Sequence, residues 1–270
     1  MDSYAPTSRN SQGELNLMQV LTADFTGPHL TKVLAHSLRD TGFALVDGAP
    51  VDHAALDRLY GDWAGFFAGE EKYDSPSDPD IPDGFLPYRT REGRLIDLKE
   101  SFYFHLEGDC PEHLRETTAT VYRNLLDIAE TLLQALASCE EPGIPPAVRQ
   151  ALETSRGAVL RVLHYPPLSS FPEMGDDFKE LEEMVRLGAH QDLNLLTILP
   201  AATMPGLDIL DRHGEWHRVS SGAGTVVVNA GDELQHLSRG YYRSTKHRVR
   251  NEAIELLRPR YAAALFLAAR

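Results

Sequence analysis

Cysteine is nearly missing from this chain. Two residues, Cys110 and Cys139, stand in 270, too few for a disulfide framework. That excludes a small stapled secreted scaffold, and both are read as inert thiols of a reduced, cytoplasmic protein. Long hydrophobic runs are missing too. No stretch approaches the roughly 18–20 apolar residues needed to cross a bilayer. The opening MDSYAPTSRNSQGE has neither the basic nor the apolar region of a secretory signal, so no membrane association is expected. Positive charge is scarce: 26 Lys and Arg face 40 Asp and Glu, a formal net charge of −14. Such a surface repels phosphate backbones, so nucleic acid is not an expected partner. There is no internal repeat. What is present is a 42% hydrophobic content, enough to bury a proper core in one large domain or a domain with a helical extension.

The pattern divides the chain. Leu15 to Leu21 is a short apolar run that predicts a first strand. Pro28 fits the first position of a helix carrying Leu30, Val33, Leu34 and Leu38, and Gly42 stops it. Phe43 to Val46 predicts a buried strand. A second helix is expected over 52–67, where Leu56, Leu59, Tyr60, Trp63, Phe66 and Phe67 form a stripe read as core. Residues 74–94, dense in Pro and Asp, read as loop. Ser101 to Phe104 is aromatic enough for a strand. The longest helix is expected over 111–139, lying outside the sheet with Val121, Leu125, Ile128, Leu132, Leu133 and Leu136 on its apolar face.

From Ala158 onward, strand runs alternate with Gly and Pro turns: AVLRVLHY, LNLLTIL, GLDIL, WHRV, TVVVNAG, TKHRVR and RYAAALFL. Asp211 to Glu215 and Ser220 to Gly224 read as hairpin turns. Short strands at this spacing predict a mainly β fold with flanking helices, around a jelly-roll sandwich. The expected organisation is an N-terminal α+β region (1–110), scaffold helices (111–156) and a jelly-roll core (157–270), one compact domain overall. Leu168 to Arg186 interrupts the β pattern and reads as an insertion beside the mouth of the barrel, either a substrate lid or a surface excursion.

His190 and Asp192 lie two apart in a run that reads as a strand, where side chains at i and i+2 share a face. His247 follows 55 positions after Asp192, in another strand-like segment. Two His and one carboxylate on a β scaffold form the facial triad of non-haem Fe(II) oxygenases, with positions left open for oxygen and substrate. His-x-Asp alone is equally a hydrogen-bonded surface couple, and His236 competes with His247 as the distal imidazole.

GAHQDLNLLTIL, VVVNAGDELQ and SRGYYRSTKHRV follow in that order, with TGFALVDGAPVD, FFAGEEKY and RVLHYPP upstream. Together they resemble the isopenicillin N synthase-like family of 2-oxoglutarate and Fe(II)-dependent dioxygenases over most of residues 15–267. The resemblance implies a double-stranded β-helix, with His190, Asp192 and His247 as iron ligands, the last in its His-Arg-Val context. It implies 2-oxoglutarate as cosubstrate and O2 as oxidant. Oxidative decarboxylation would give succinate and CO2 and drive attack on a C–H bond. An Arg-x-Ser pair on the last strand binds the oxoacid in the family. Here Arg260 is kept, with Arg258 its rival, and Ala262 replaces the Ser on the same inward face. Tyr165 is expected to turn a hydroxyl toward the cosubstrate or substrate. Asp232 is expected to be structural.

Halogenating relatives lack the carboxylate at Asp192, so its presence implies hydroxylation, desaturation or cyclisation. The substrate is expected to be a small molecule, in a pocket built by loops around 74–94, 97–105 and 168–187. They bring Arg89, Arg91, Arg94 and Lys99 together with Phe85, Tyr88, Phe102 and Tyr103, a set suited to a carboxylated or amino-acid-derived compound, in a biosynthetic pathway. Two other readings stay open. One is an Fe(II) oxidase of the same fold that uses no oxoacid, motivated by Ala262. The other is a non-catalytic β-sandwich binding protein.

Overall fold

The computed structural model describes residues 19–77, 84–91, 94–140, 144–154, 157–170, 185–250 and 257–268. The chain enters through β1 (Thr22–Asp24), forms α1 (Leu30–Thr41) and returns as β2 (Phe43–Asp47). Among the described residues the first strand is β1; of the expected span Leu15–Leu21 only 19–21 are described, and none is in a strand, the rest lying outside the described residues. Pro28 lies ahead of the helix rather than inside its first turn, because His29 is the N-cap. Gly42 closes α1 as expected. It sits in the left-handed region at φ 77 and its N–H reaches Leu38 O, a backbone state that suits a residue without Cβ.

Helix α2 (His53–Ala68) begins where the Asp52 side chain accepts the Ala55 N–H, satisfying one of the helix's orphan donors. Next come β3 (Gly84–Leu86), β4 (Arg89–Arg91), β5 (Arg94–Asp97) and β6 (Glu100–Phe104). The segment 74–94 is thus not all loop. It contains β3 and part of a β4–β5 hairpin. Both lie where charged and irregular sequence is tolerated, β3 at the margin of the large sheet and the hairpin as a separate ribbon.

After α3 (Glu112–Ala137) and α4 (Pro146–Thr154), the strands β7 (Gly157–Tyr165), β8 (Val185–His190), β9 (Leu196–Leu199), β10 (Leu207–Leu210), β11 (Trp216–Arg218) and β12 (Thr225–Ala230) follow. A short helix α5 (Asp232–Leu237) precedes β13 (His247–Arg250) and β14 (Arg260–Ala268). Most of the insertion between Tyr165 and His190, and with it the expected lid, lies outside the described residues.

The strands form a large sheet ordered β1-β2-β12-β9-β14-β7-β6-β3 and a smaller one ordered β11-β10-β13-β8. This is the expected double-stranded β-helix. Asp211 to Glu215 is a hairpin turn, since Leu210 pairs with Trp216 across it. Ser220 to Gly224 is not. It carries the chain from β11 in one sheet to β12 in the other.

Alternation on β14 gives the sheet its two faces. Ala263, Leu265 and Leu267 join the core made with α2 and α3, which includes Leu59, Trp63, Leu125 and Ile128. Each such large side chain contributes about 1.5–3 kcal/mol on burial. Arg260, Ala262, Ala264 and Phe266 line a cavity between the sheets instead. No helix of the described residues is long and apolar enough to cross a membrane.

Candidate metal centre and adjoining cavity

Ladder pairing brings the two imidazoles together. His247 opens β13 directly opposite His190 at the end of β8, with ring centroids 4.3 Å apart. Asp192 arrives differently from the expectation. β8 ends at His190, so strand alternation does not aim the carboxylate. The backbone leaves the sheet and is pinned by α5: the Asp232 N–H donates to Asp192 O at 2.7 Å and the Gly231 N–H to Leu195 O at 3.0 Å. Asp192 Oδ1 then lies 3.7 Å from Nε2 of both His190 and His247. One ligand atom from each of the three falls within 4.8 Å of the others.

The neighbours of these side chains select the atoms that face inward. Nδ1 of His190 lies 2.9 Å from Gly188 O and Nδ1 of His247 lies 3.1 Å from Thr245 O. Carbonyls only accept, so each Nδ1 carries a proton, and in the neutral ring that leaves the lone pair on Nε2. Asp192 Oδ2 accepts from Thr197 Oγ1 at 2.6 Å and Asn229 Nδ2 at 2.8 Å, leaving Oδ1 toward the imidazoles. Burial, aided by the nearby His247 ring, holds the His190 pKa below the usual histidine value. For Asp192 burial pushes upward. The His247 imidazole and the bonds from Thr197 and Asn229 outweigh it and hold the carboxyl below its ordinary range. Two neutral imidazoles and one carboxylate are the donor set a divalent transition metal needs. His236, the competing imidazole, is exposed on α5 and stands outside this group.

A cavity of about 290 Å³ opens from the triad between the sheets. Arg260 lies along its wall, 6% exposed, with its guanidinium carbon 4.8 Å from the Tyr165 ring centre. Its Nε donates to Met204 O at 3.0 Å and Pro205 O at 3.1 Å, while Nη1 is buried and has no hydrogen-bond partner among the described residues. A buried guanidinium with a donor to spare fits a carboxylate, whose charge-assisted bonds would satisfy it. Arg258 is exposed. Ala262 shares the cavity wall with Arg260, as alternation predicted. Tyr165 supports Arg260 through its ring. Asp232 begins α5, and its Oδ1 accepts from Gln191 Nε2 at 3.3 Å.

The cavity is walled differently from the expectation. Phe85 and Phe102 belong to the helix-facing core, and Tyr88 is exposed. Pro200, Met204 and Pro205, with Ser220 and Ser221, supply walls instead. These are crossings between strands, which read in sequence only as separators. The side chains at 89, 91 and 94 lie outside the described residues. Thr197 and Asn229, which fix Asp192, also went unmarked; both sit in strands whose apolar pattern hides a polar residue facing inward.

The 2OG-Fe(II) oxygenase superfamily matches residues 157–269, a span that holds the triad and Arg260. A protein described as an oxygenase from Shewanella oneidensis superposes with a TM-score of 0.78 and 32% identity, covering 93% of this chain and 90% of its own. Neurospora crassa T7H, solved in complex with alpha-KG, has a TM-score of 0.76 at 21% identity, covering 99% of this chain and 89% of its own. Among curated relatives, a 2-oxoglutarate-Fe(II) type oxidoreductase of Metarhizium majus is 30% identical over 181 residues, 66% of this chain and 46% of that protein. The chain spans about half the length of such relatives. From the full-length likeness to the Shewanella structure, and a family match that falls on the sheet carrying the triad, the chain belongs to the 2OG-Fe(II) oxygenase superfamily.

Proposed function

We propose that this protein is an Fe(II)- and 2-oxoglutarate-dependent dioxygenase. It would oxidise an unactivated C–H bond of a small molecule by hydroxylation, desaturation or cyclisation, in a biosynthetic pathway. The observation that carries this is one cavity holding both a facial set of two imidazoles and a carboxylate and, further along the same wall, a buried arginine with an unpaired donor. His190, Asp192 and His247 would hold the iron, and Arg260 the far carboxylate of 2-oxoglutarate above the Tyr165 ring. Bound iron and oxoacid supply the oxidising chemistry, with O2 consumed and 2-oxoglutarate decarboxylated to succinate.

The chain's own residues do the rest. The carbonyls of Gly188 and Thr245 fix the imidazole tautomers. Thr197 and Asn229 hold Asp192 ionised with one oxygen free. Leu163, Leu187, Leu199 and Phe266 give the cavity an apolar lining that limits water.

The second reading, an iron oxidase without oxoacid, is favoured by Ala262. The unpaired Nη1 of Arg260 favours the first. Calorimetric titration under argon distinguishes them. One Fe(II) per chain is expected, then one 2-oxoglutarate that binds only after metal. His247→Ala abolishes both events, and Arg260→Gln keeps the metal but loses the oxoacid. Metal-loaded wild-type protein that ignores 2-oxoglutarate would leave the oxidase. Failure to take up Fe(II) would leave a non-catalytic binding protein.

A further inference from the structure

The same cavity contains a second guanidinium for which the proposed cosubstrate has no use. Arg161 lies on β7 four residues before Tyr165, so both face the cavity. Arg260 pairs with Tyr165 and Ala264 pairs with Arg161, which sets the two arginines about 13 Å apart along the strands. Leu163 and Ala262, a directly paired couple, lie between them.

Strand β9 tells which arginine is nearer the metal centre. Thr197, whose hydroxyl donates to Asp192, stands opposite Phe266. The row of Ala264 and Arg161 is the next one along. The row of Arg260 and Tyr165 is two rows further away.

Arg161 is held but not neutralised. Its Nη2 donates to Ser101 Oγ at 3.0 Å, and its guanidinium carbon lies 4.6 Å from the Tyr103 ring centre. Ser101 and Tyr103 sit on β6 opposite Leu163 and Arg161. Nε is buried and has no hydrogen-bond partner among the described residues. Among the described residues no carboxylate pairs with it. In a chain of net charge −14, an arginine kept unpaired in a mostly apolar cavity is a local receptor for an anion that the rest of the surface repels. The planar fork matches a carboxylate.

We propose that Arg161 determines specificity by anchoring a carboxylate of the organic substrate, which makes the substrate class a small carboxylic acid. Its apolar part then lies against Ala264, Leu199 and Phe266, beside the metal centre. This rests on the reading of the triad and Arg260 given above, and it separates the two anions: the oxoacid at Arg260, the substrate acid at Arg161.

The test uses calorimetry on the full chain loaded with Zn(II), which does not turn over, and 2-oxoglutarate. The probes are hexanoate, phenylacetate, cinnamate and N-acetylleucine, each against its primary amide. At least one acid is expected to bind wild-type protein tenfold or more tighter than its amide. In Arg161→Gln that preference falls below twofold, while 2-oxoglutarate binds as before. Arg161→Lys, which keeps charge but loses the fork, retains part of it. The proposal is overturned if no acid binds, if acids and amides bind wild-type protein alike, or if Arg161→Gln keeps the preference. Should Arg161→Gln fail to fold, the wild-type acid-to-amide ratio and Arg161→Lys decide. Failure of the underlying reading shows earlier and separately, as wild-type protein that does not load with Zn(II) and 2-oxoglutarate.

Discussion

At the scale of single residues, the centre works because each donor's second atom is already occupied. Asp192 could turn either oxygen inward, but Thr197 and Asn229 both hold Oδ2. Removing one of them frees the carboxylate to rotate. Thr197→Val and Asn229→Ala are each expected to lower metal affinity about 10–100-fold, read by Mn(II) titration, with the far-UV spectrum unchanged. An unaltered affinity in both would mean that the loop, not these bonds, orients Asp192. Ala262 makes a complementary case. Restoring the family hydroxyl beside Arg260 with Ala262→Ser adds a bond to the oxoacid carboxylate worth about 1 kcal/mol. That predicts 2-oxoglutarate binding tightened roughly fivefold, and weaker binding would show that no oxoacid oxygen comes near position 262. The triad was legible because its residue types are rare together and the His-x-Asp spacing is short. Thr197 and Asn229 were not, because one polar residue in LLTIL or TVVVNAG looks like ordinary strand variation until its partner is seen.

At the scale of elements, turn residues decide how strands reach the site. The β10–β11 hairpin is closed by Asp211. Its Oδ1 accepts the N–H groups of His213 and Glu215, both at 2.8 Å, and its Oδ2 lies 2.7 Å from His217 Nε2. Burial raises this carboxyl's pKa, but the bonds from Glu215, His217 and His213 together outweigh it and hold it below its ordinary value of 3.8. The folded state therefore binds the proton less well than the unfolded chain does. The stabilisation is complete above pH 3.8 and is lost as pH falls through the lower folded value. Asp211→Asn is expected to cost about 1–3 kcal/mol at pH 7, and the gap to wild type should close in acid. Urea melts at pH 7 and pH 3 check this; a gap that stays constant would place the effect in shape rather than charge. This hairpin was readable from Asp and Gly. The neighbouring Ser220 to Gly224 segment is also built of turn-forming residues but crosses between sheets, and turn chemistry alone cannot say which strands a turn joins.

At the scale of the whole molecule, the site's scaffold does not stop where the family match begins. The match covers residues 157–269, yet β12 is flanked by β2 over five paired positions and β7 by β6 over five more. Both partners come from the first 110 residues. The outer face of the sheet, with Leu160, Val162, Val226 and Leu265, is covered by α2 and α3. Cutting before Gly157 would leave two unpaired strand edges and a wide apolar surface in water, the conditions for edge-to-edge association. A fragment of residues 157–270 is therefore expected to aggregate or to lack fixed packing, with a collapsed near-UV spectrum and no Fe(II) uptake, although it contains all three triad residues. The intact chain is expected to melt in one transition that Fe(II) raises and a chelator lowers, because a ligand bound only by the folded state stabilises it by mass action. A soluble fragment with dispersed amide resonances that still binds one Fe(II) would show that the N-terminal strands and helices are an added layer. In that case the cavity's geometry would be a property of the last 114 residues (157 to 270) alone.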